Sequence, residues 1–138
     1  MPAMIETPKL TADVIIRMWE HDLLRGVVLI ERKNMPFGPA LPGGFVEVGE
    51  TVDAAAIREM KEETGLEVRL AYLLGVYSDP QRDPRFHTAS VVFVGDADGE
   101  PKADSDAREV SIVAFEKIPL DRLVFDHRKI MEDFLERE

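Results

Sequence analysis

Apolar and polar positions fall into short blocks along this chain. Val14 to Trp19 and Gly26 to Glu31 are rich in β-branched residues and flank the polar stretch Glu20-His21-Asp22, which predicts a hairpin. The next segment, Asn34 to Gly44, holds three prolines and three glycines. It is expected to be an irregular loop that ends in closely approaching backbone. A helix is predicted from an N-cap at Thr51 to Thr64, stopped by Gly65. Leu66 to Tyr77 alternates as a strand or a bent pair of strands, and SDPQRDPR, from Ser78 to Arg85, reads as a loop. Thr88 to Gly95 and Val110 to Phe115 are apolar strand candidates. Arg122 to Arg137 carries Leu123, Ile130, Phe134 and Leu135 at helical spacing. The order is mixed α/β, with no repeat and no linker, and one domain over residues 1–138 is expected.

Composition narrows the chemistry. With 45% hydrophobic residues in 138, the chain can bury a core of its own. The absence of cysteine excludes zinc-thiolate sites, iron-sulfur clusters, disulfide scaffolds and cysteine nucleophiles. No apolar run is long enough for a membrane span and the start lacks the shape of a signal peptide, so the reading is cytoplasmic with no membrane partner. Asp and Glu number 27 against 17 Lys and Arg, a net charge of -10. Such a surface repels a phosphate backbone, so nucleic acid is not an expected partner. A small phosphorylated ligand remains compatible if a cation mediates.

The candidate chemistry lies on the first helix. Glu59, Glu62 and Glu63 stand at i, i+3 and i+4, which puts three like charges on one face. A solvated acidic face is the ordinary explanation of such a cluster. Here Glu63 falls about 20° round the wheel from Val52 and beside Ala56, inside the apolar arc, where a solvated glutamate is out of place. Oxygen-only donors without His or Cys suit Mg²⁺ or Mn²⁺. Arg58 and Glu50 could pair to tie loop to helix, and Gly43 and Gly44, lacking side chains, could turn a backbone carbonyl toward the same place.

Residues 44–66 then set out Gly44, Glu50, Arg58-Glu59, Glu62-Glu63, Gly65 and Leu66 at spacings that resemble the Nudix box, with every fixed position of the 23 filled. The resemblance extends through LIERKN and ALPGGF upstream and the alternating strands downstream. It implies a Nudix-type α/β/α sandwich around a mixed β-sheet, and hydrolysis of a nucleoside diphosphate linked to another moiety. Carried over by residue, it implies that Glu59, Glu62, Glu63 and the Gly43 carbonyl hold Mg²⁺ or Mn²⁺. Arg58 and Glu50 orient the glutamates, with Gly44 and Gly65 as structural positions. The general base is either Glu59 or a downstream acid, Glu109, with Asp104 and Asp106 as rivals. Homodimers are common among such enzymes, so a homodimer is expected.

SDPQRDPRFH, residues 78–87, resembles the loop that follows the box in Nudix ADP-ribose pyrophosphatases, with Pro80 fifteen residues beyond Gly65 and Phe86 in place of the pattern's glycine. This implies ADP-ribose as the small-molecule nucleotide substrate, cleaved to AMP and ribose 5-phosphate. The alternatives are another nucleotide, a nucleoside triphosphate or dinucleoside polyphosphate, and a non-catalytic ADP-ribose sensor. Arg82 and Arg85 offer forked donors to phosphate or ribose, or else pair with Asp79 and Asp83 in a closed turn. Arg32 is a further phosphate candidate. Of the histidines, His87 adjoins this loop, whereas His21 and His127, the latter behind an N-cap at Asp126, are expected at the surface. Trp19 is expected in the core or a subunit contact.

Overall fold

The computed structural model describes residues 4–103 and 107–138, so Asp104 and Asp106 lie outside it. β1 (Lys9–Glu20) and β2 (Leu23–Arg32) form the predicted hairpin, with arms longer than the apolar runs alone indicate. The turn is short because His21 and Asp22 both adopt left-handed backbone, φ 49 and 63, the geometry whose twist matches a two-residue hairpin loop. The proline-rich segment contains two three-residue strands, β3 (Gly38–Ala40) against β2 and β4 (Gly43–Phe45) against β1.

Helix α1 (Val52–Thr64) has the predicted ends. Thr51 Oγ1 accepts from the Ala54 N–H at 3.3 Å, and Gly65, at φ 73, closes the last turn by donating to the Lys61 carbonyl. β5 (Arg69–Tyr77) is bent, its register against β6 (Thr88–Asp98) shifting after Leu70 and again after Leu73. β7 (Ala107–Val113) pairs with β2, and helix α2 (His127–Arg137) ends the chain.

The sheet order is β3-β2-β1-β6-β5, with β1 and β6 parallel over eleven residue pairs and their other neighbours antiparallel. A strand at the centre is covered on both faces, and this is why β1 reads as a near-continuous apolar run. Ala12, Val14, Ile16 and Met18 pack under α1 with Ala55, Ala56 and Met60, while Ile15 faces α2 with Ile130, Met131 and Phe134. The result is an α/β/α arrangement around a mixed sheet.

Helix α2 begins at His127, five residues later than the periodicity suggests. Phe125 has φ 57, a backbone conformation a bulky residue adopts only under constraint and one that a helix cannot contain. Asp126 occupies the N-cap position without a capping bond, because its carboxylate is engaged by Arg82. No helix among the described residues is long and apolar enough to cross a membrane.

Candidate active site

At the end of the sheet where β4 leaves β1, a cleft of about 450 Å³ is lined by residues from six places in the sequence. Helix α1 contributes Glu59 and Glu63, the paired glycines contribute Gly43 and Gly44, and β1 contributes Thr11 and Asp13. Arg32 comes from the end of β2, Arg82, Asp83 and Arg85 from the 78–87 loop, and Phe125 and His127 from the approach to α2.

Each glycine clears the space for a carboxylate. A Cβ on Gly44 would overlap the Glu59 carboxylate, and one on Gly43 would overlap that of Asp13, its partner in the β1–β4 ladder. The Gly43 N–H donates to Glu63 Oε1 at 3.1 Å, which ties the glycine strand directly to the helix. Glu63 is 5% exposed, as its place inside the apolar arc requires.

Arg58 is the hub of this side. Its fork grips Glu50 through Nε at 2.7 Å and Nη2 at 2.9 Å. Nη1 reaches Glu59 at 3.0 Å and Glu62 at 3.2 Å, and Nη2 also meets the Phe45 carbonyl. The grip holds the Glu50 carboxyl down at about 2, with the Glu47 N–H adding to the effect. Glu62 is drawn toward Arg58 and does not line the cleft, and among the described residues no three acidic or imidazole groups stand together as a ready cation cage. The donor chemistry nevertheless fits a hard divalent cation: two glutamate carboxylates in the cleft, a third one helical turn away, and backbone oxygen nearby.

Cationic side chains line the same cleft. Arg32 donates to the Pro36 and Met35 carbonyls and packs 5.0 Å from the Phe125 ring, while Arg85 lies 5.3 Å from the same ring. Burial and then the charge of Arg85 hold the Arg32 guanidinium below its ordinary value, two cations converging on one space. Arg85 is gripped by Asp83 through Nε at 3.0 Å and Nη2 at 2.8 Å, the closed turn that was the alternative reading of this loop. It still borders the cleft.

Arg82 is differently committed. Its side chain is 3% exposed and donates to Asp126 through Nε at 3.0 Å and Nη2 at 2.8 Å, and to Thr88 Oγ1, rather than to Asp79. It fastens the loop to the start of α2. Pro80 is exposed and does not line the cleft. Glu109 lies within β7 opposite Glu31, exposed and outside the cleft lining, rather than on a loop that reaches it.

One further expectation is corrected, for His127, and that for Trp19 is narrowed to the subunit contact, since the side chain is not in the core. His127 is 3% exposed rather than at the surface, and its Nδ1 accepts from the Leu41 N–H at 3.0 Å. Burial, reinforced by the Arg82 and Arg32 charges, pushes its imidazole down to about 3, so the ring is neutral. Trp19 is half-buried at the far end of β1, with Nε1 donating to Asp96 at 2.7 Å. His87, by contrast, keeps its place beside the loop, Nε2 bonded to the Ser78 carbonyl oxygen at 2.8 Å.

Asp13 is the site residue that the pattern analysis missed. It accepts a short bond from Ser90 on β6, lines the cleft beside the glycines, and has a carboxyl pushed up to about 6 by burial. The signal was a lone acid inside the apolar run of β1, matched by buried Thr88 and Ser90 in the parallel neighbour. A polar residue in such a strand needs a hydrogen-bond partner or an opening to a polar cavity, and Asp13 has both in Ser90 and the cleft.

Comparison with known proteins agrees with this geometry. The NUDIX domain model matches residues 7–134. An ADP-ribose pyrophosphatase of Methanocaldococcus jannaschii is 53% identical over 112 residues, which are 79% of this chain and 65% of that protein. A putative 8-oxo-dGTP diphosphatase of Bacillus subtilis is 41% identical over 73 residues, 53% of this chain and 46% of that one. The chain thus spans about half to two thirds of the length of these relatives. Among solved structures, a bifunctional NMN adenylyltransferase/ADP ribose pyrophosphatase of Francisella tularensis, complexed with AMP and a manganese ion, superposes with TM-score 0.81 at 29% identity, over 98% of this chain and 43% of that one. The box on α1, the glycines that make room for its carboxylates and a family match over nearly every residue lead to one conclusion: this chain belongs to the NUDIX domain family.

Proposed function

We propose that the chain hydrolyses ADP-ribose to AMP and ribose 5-phosphate with the help of a divalent cation. The observation that carries this reading is a cleft lined by both signs of charge, Glu59 and Glu63 from α1 and Arg32 and Arg85 from the end of β2 and the 78–87 loop. A diphosphate is itself an anion with many oxygens. It can be held between guanidinium donors and a carboxylate-bound cation, whereas either set of charges alone would repel or merely trap it.

Glu59, Glu62, Glu63 and the Gly43 carbonyl would hold Mg²⁺ or Mn²⁺, which supplies Lewis-acid polarisation of the phosphate and a more acidic water. Binding requires Glu62 to turn from Arg58, which retains Glu50 and Glu59 as partners. Arg58 orients the acidic face, and its removal from one glutamate leaves the fork to Glu50 intact. Arg32 and Arg85 bind and orient the diphosphate. Glu59, in the cleft and held at a defined angle by Arg58, is better placed than Glu109 to take the proton of the attacking water. The similarity to an ADP-ribose pyrophosphatase supports the substrate, and the AMP and manganese in the Francisella tularensis structure support the product and the cation.

A nucleoside triphosphate is the second reading, favoured by the Bacillus subtilis relative. Initial rates on ADP-ribose, nucleoside triphosphates and diadenosine polyphosphates with Mg²⁺ separate the two. ADP-ribose is expected to give the highest kcat/KM. A tenfold advantage for a triphosphate or a dinucleoside polyphosphate would overturn the substrate while leaving the hydrolytic site in place.

A further inference from the structure

His127 has two ring nitrogens, and the fold explains only one of them. Nδ1 accepts from the Leu41 N–H at 3.0 Å, so in the neutral ring the proton is on Nε2, which can only donate. Nε2 has no partner among the described residues. The residue is 3% exposed, yet among the described residues no sealed side-chain nitrogen or oxygen lacks a partner. Both statements hold only if Nε2 keeps a small open surface, and the space that the ring borders is the cleft. A buried imidazole therefore turns one N–H donor into the candidate active site. A role confined to holding Leu41 leaves that donor unexplained, because an unsatisfied N–H is costly wherever water is scarce.

The surroundings select its acceptor. The centroids of the His127 and Phe125 rings are 5.1 Å apart, with planes inclined by 48°. The guanidinium carbons of Arg32 and Arg85 lie 5.0 and 5.3 Å from the same Phe125 centroid, so three donors are gathered around one ring. Arg85 is neutralised by Asp83, whereas Arg32 donates to the Met35 and Pro36 carbonyls and, among the described residues, to no carboxylate. The Arg32 charge acts on the imidazole together with that of Arg82 and helps to keep it neutral. A neutral donor in a positive field pairs best with an anionic oxygen, and in a nucleotide the phosphates supply it. A hydroxyl or a base nitrogen would satisfy the N–H and leave the field unanswered.

We propose that His127 is a substrate-binding residue whose Nε2–H donates to a non-bridging phosphate oxygen, completing with Arg32 and Arg85 a three-donor cradle for the diphosphate. This rests on the reading of the cleft as a diphosphate site. The two nitrogens then have linked tasks. Nδ1 fixes the ring against the Leu41 backbone, and so aims Nε2.

The test uses the full chain labelled uniformly with ¹⁵N, inorganic pyrophosphate as the probe with Mg²⁺ present, and adenosine as the control. Ring-nitrogen spectra of the wild type should show Nδ1 unprotonated and Nε2 protonated. Pyrophosphate should move the Nε2–H proton downfield, and adenosine should leave it in place. His127→Asn keeps an acceptor for the Leu41 N–H and removes the donor. Calorimetry should then give pyrophosphate binding about tenfold weaker, the scale of one hydrogen bond to a charged oxygen, with the Leu41 amide resonance unmoved. His127→Gln carries an N–H at the Nε2 end and should bind within threefold of wild type. The donor is overturned, and the diphosphate reading spared, if pyrophosphate binds without moving Nε2–H, if adenosine moves it as far, or if His127→Asn binds within twofold of wild type. Pyrophosphate that does not bind at all overturns both. A displaced Leu41 amide with parallel loss of binding in both variants would reduce His127 to a support of the loop. A substrate panel led by a nucleoside triphosphate would overturn ADP-ribose and keep the donor, which needs only the shared phosphates.

Discussion

Arg58, which bonds Glu59 of the cleft, and Arg82, which lines the cleft itself, make the same kind of bond for different ends. Each presents a two-nitrogen fork to a carboxylate, Arg58 to Glu50 and Arg82 to Asp126. The Arg58 pair spans eight residues, retains 26% and 16% side-chain exposure, and shares its third nitrogen with the acids of the candidate site. The Arg82 pair spans 44 residues, joins a loop to a helix start, and spends its remaining donor on buried Thr88. A guanidinium that stays partly wet and holds several acids is arranged to orient them. One that is dry and bonded through all three of its nitrogens is arranged to hold the fold.

The largest expected effect comes from breaking this contrast on its structural side. Arg82→Met should cost about 3 to 5 kcal/mol of unfolding free energy, since it strands Asp126 and takes away the donor to Thr88. Arg58→Met should cost only about 1 kcal/mol, because that network is solvent-screened, while lowering turnover tenfold or more as Glu59 and Glu62 lose their orienting partner. Urea denaturation beside steady-state rates measures both, and equal stability losses in the two variants would erase the distinction.

Acid sensitivity sharpens it next. The His127 imidazole is held down at about 3, so the unfolded chain takes up a proton below its ordinary 6.5 while the folded chain does not. Stability from this group is complete above pH 6.5 and falls as pH drops toward 3, by about 2 kcal/mol at pH 5. Asp13 acts in the opposite sense. Its carboxyl, raised to about 6, penalises the folded state above that pH, and the penalty fades as pH falls through 6 toward 3.8. His127→Asn, which keeps a side-chain acceptor for the Leu41 N–H, should therefore flatten the acid limb of a stability-against-pH curve. An unchanged limb would show that His127 is not its source.

The smallest expected effect is that of Glu109→Gln. With Glu109 exposed in β7 and away from the cleft lining, turnover should stay within twofold of wild type, and a drop of tenfold would return the water-activating role to it.

The same contrast explains what could be read from the sequence. The α1 side is local: Thr51, Gly65, the three glutamates and the Arg58–Glu50 pair all follow from spacings of one or two helical turns. The longer strands and the mixed α/β class followed equally from periodicity, whereas β3 and β4, in the segment expected to be an irregular loop, did not. The other side depends on distant partners. That Arg82 meets Asp126 rather than Asp79, that His127 is buried beneath Leu41, and that Asp13 sits beside Gly43 depend on pairings between distant segments, among them the antiparallel β1–β4 and parallel β1–β6 registers, and on the left-handed turn at Phe125. No short-range pattern encodes them. Arg85 is the intermediate case, because its partner Asp83 lies two residues away and was legible as the alternative.

The central claim is that the Glu59 and Glu63 carboxylates in this cleft drive metal-dependent hydrolysis, and Glu63→Gln tests it most directly. The amide preserves size and a carbonyl acceptor for the Gly43 N–H, so the fold should survive while the charge is lost. With ADP-ribose and saturating Mg²⁺, kcat should fall at least a hundredfold relative to wild type, whose own activity EDTA should abolish, on the order of the loss expected when a principal charge-stabilising group is removed. A Glu63→Gln protein that is folded and turns over at a near-normal rate would contradict the account.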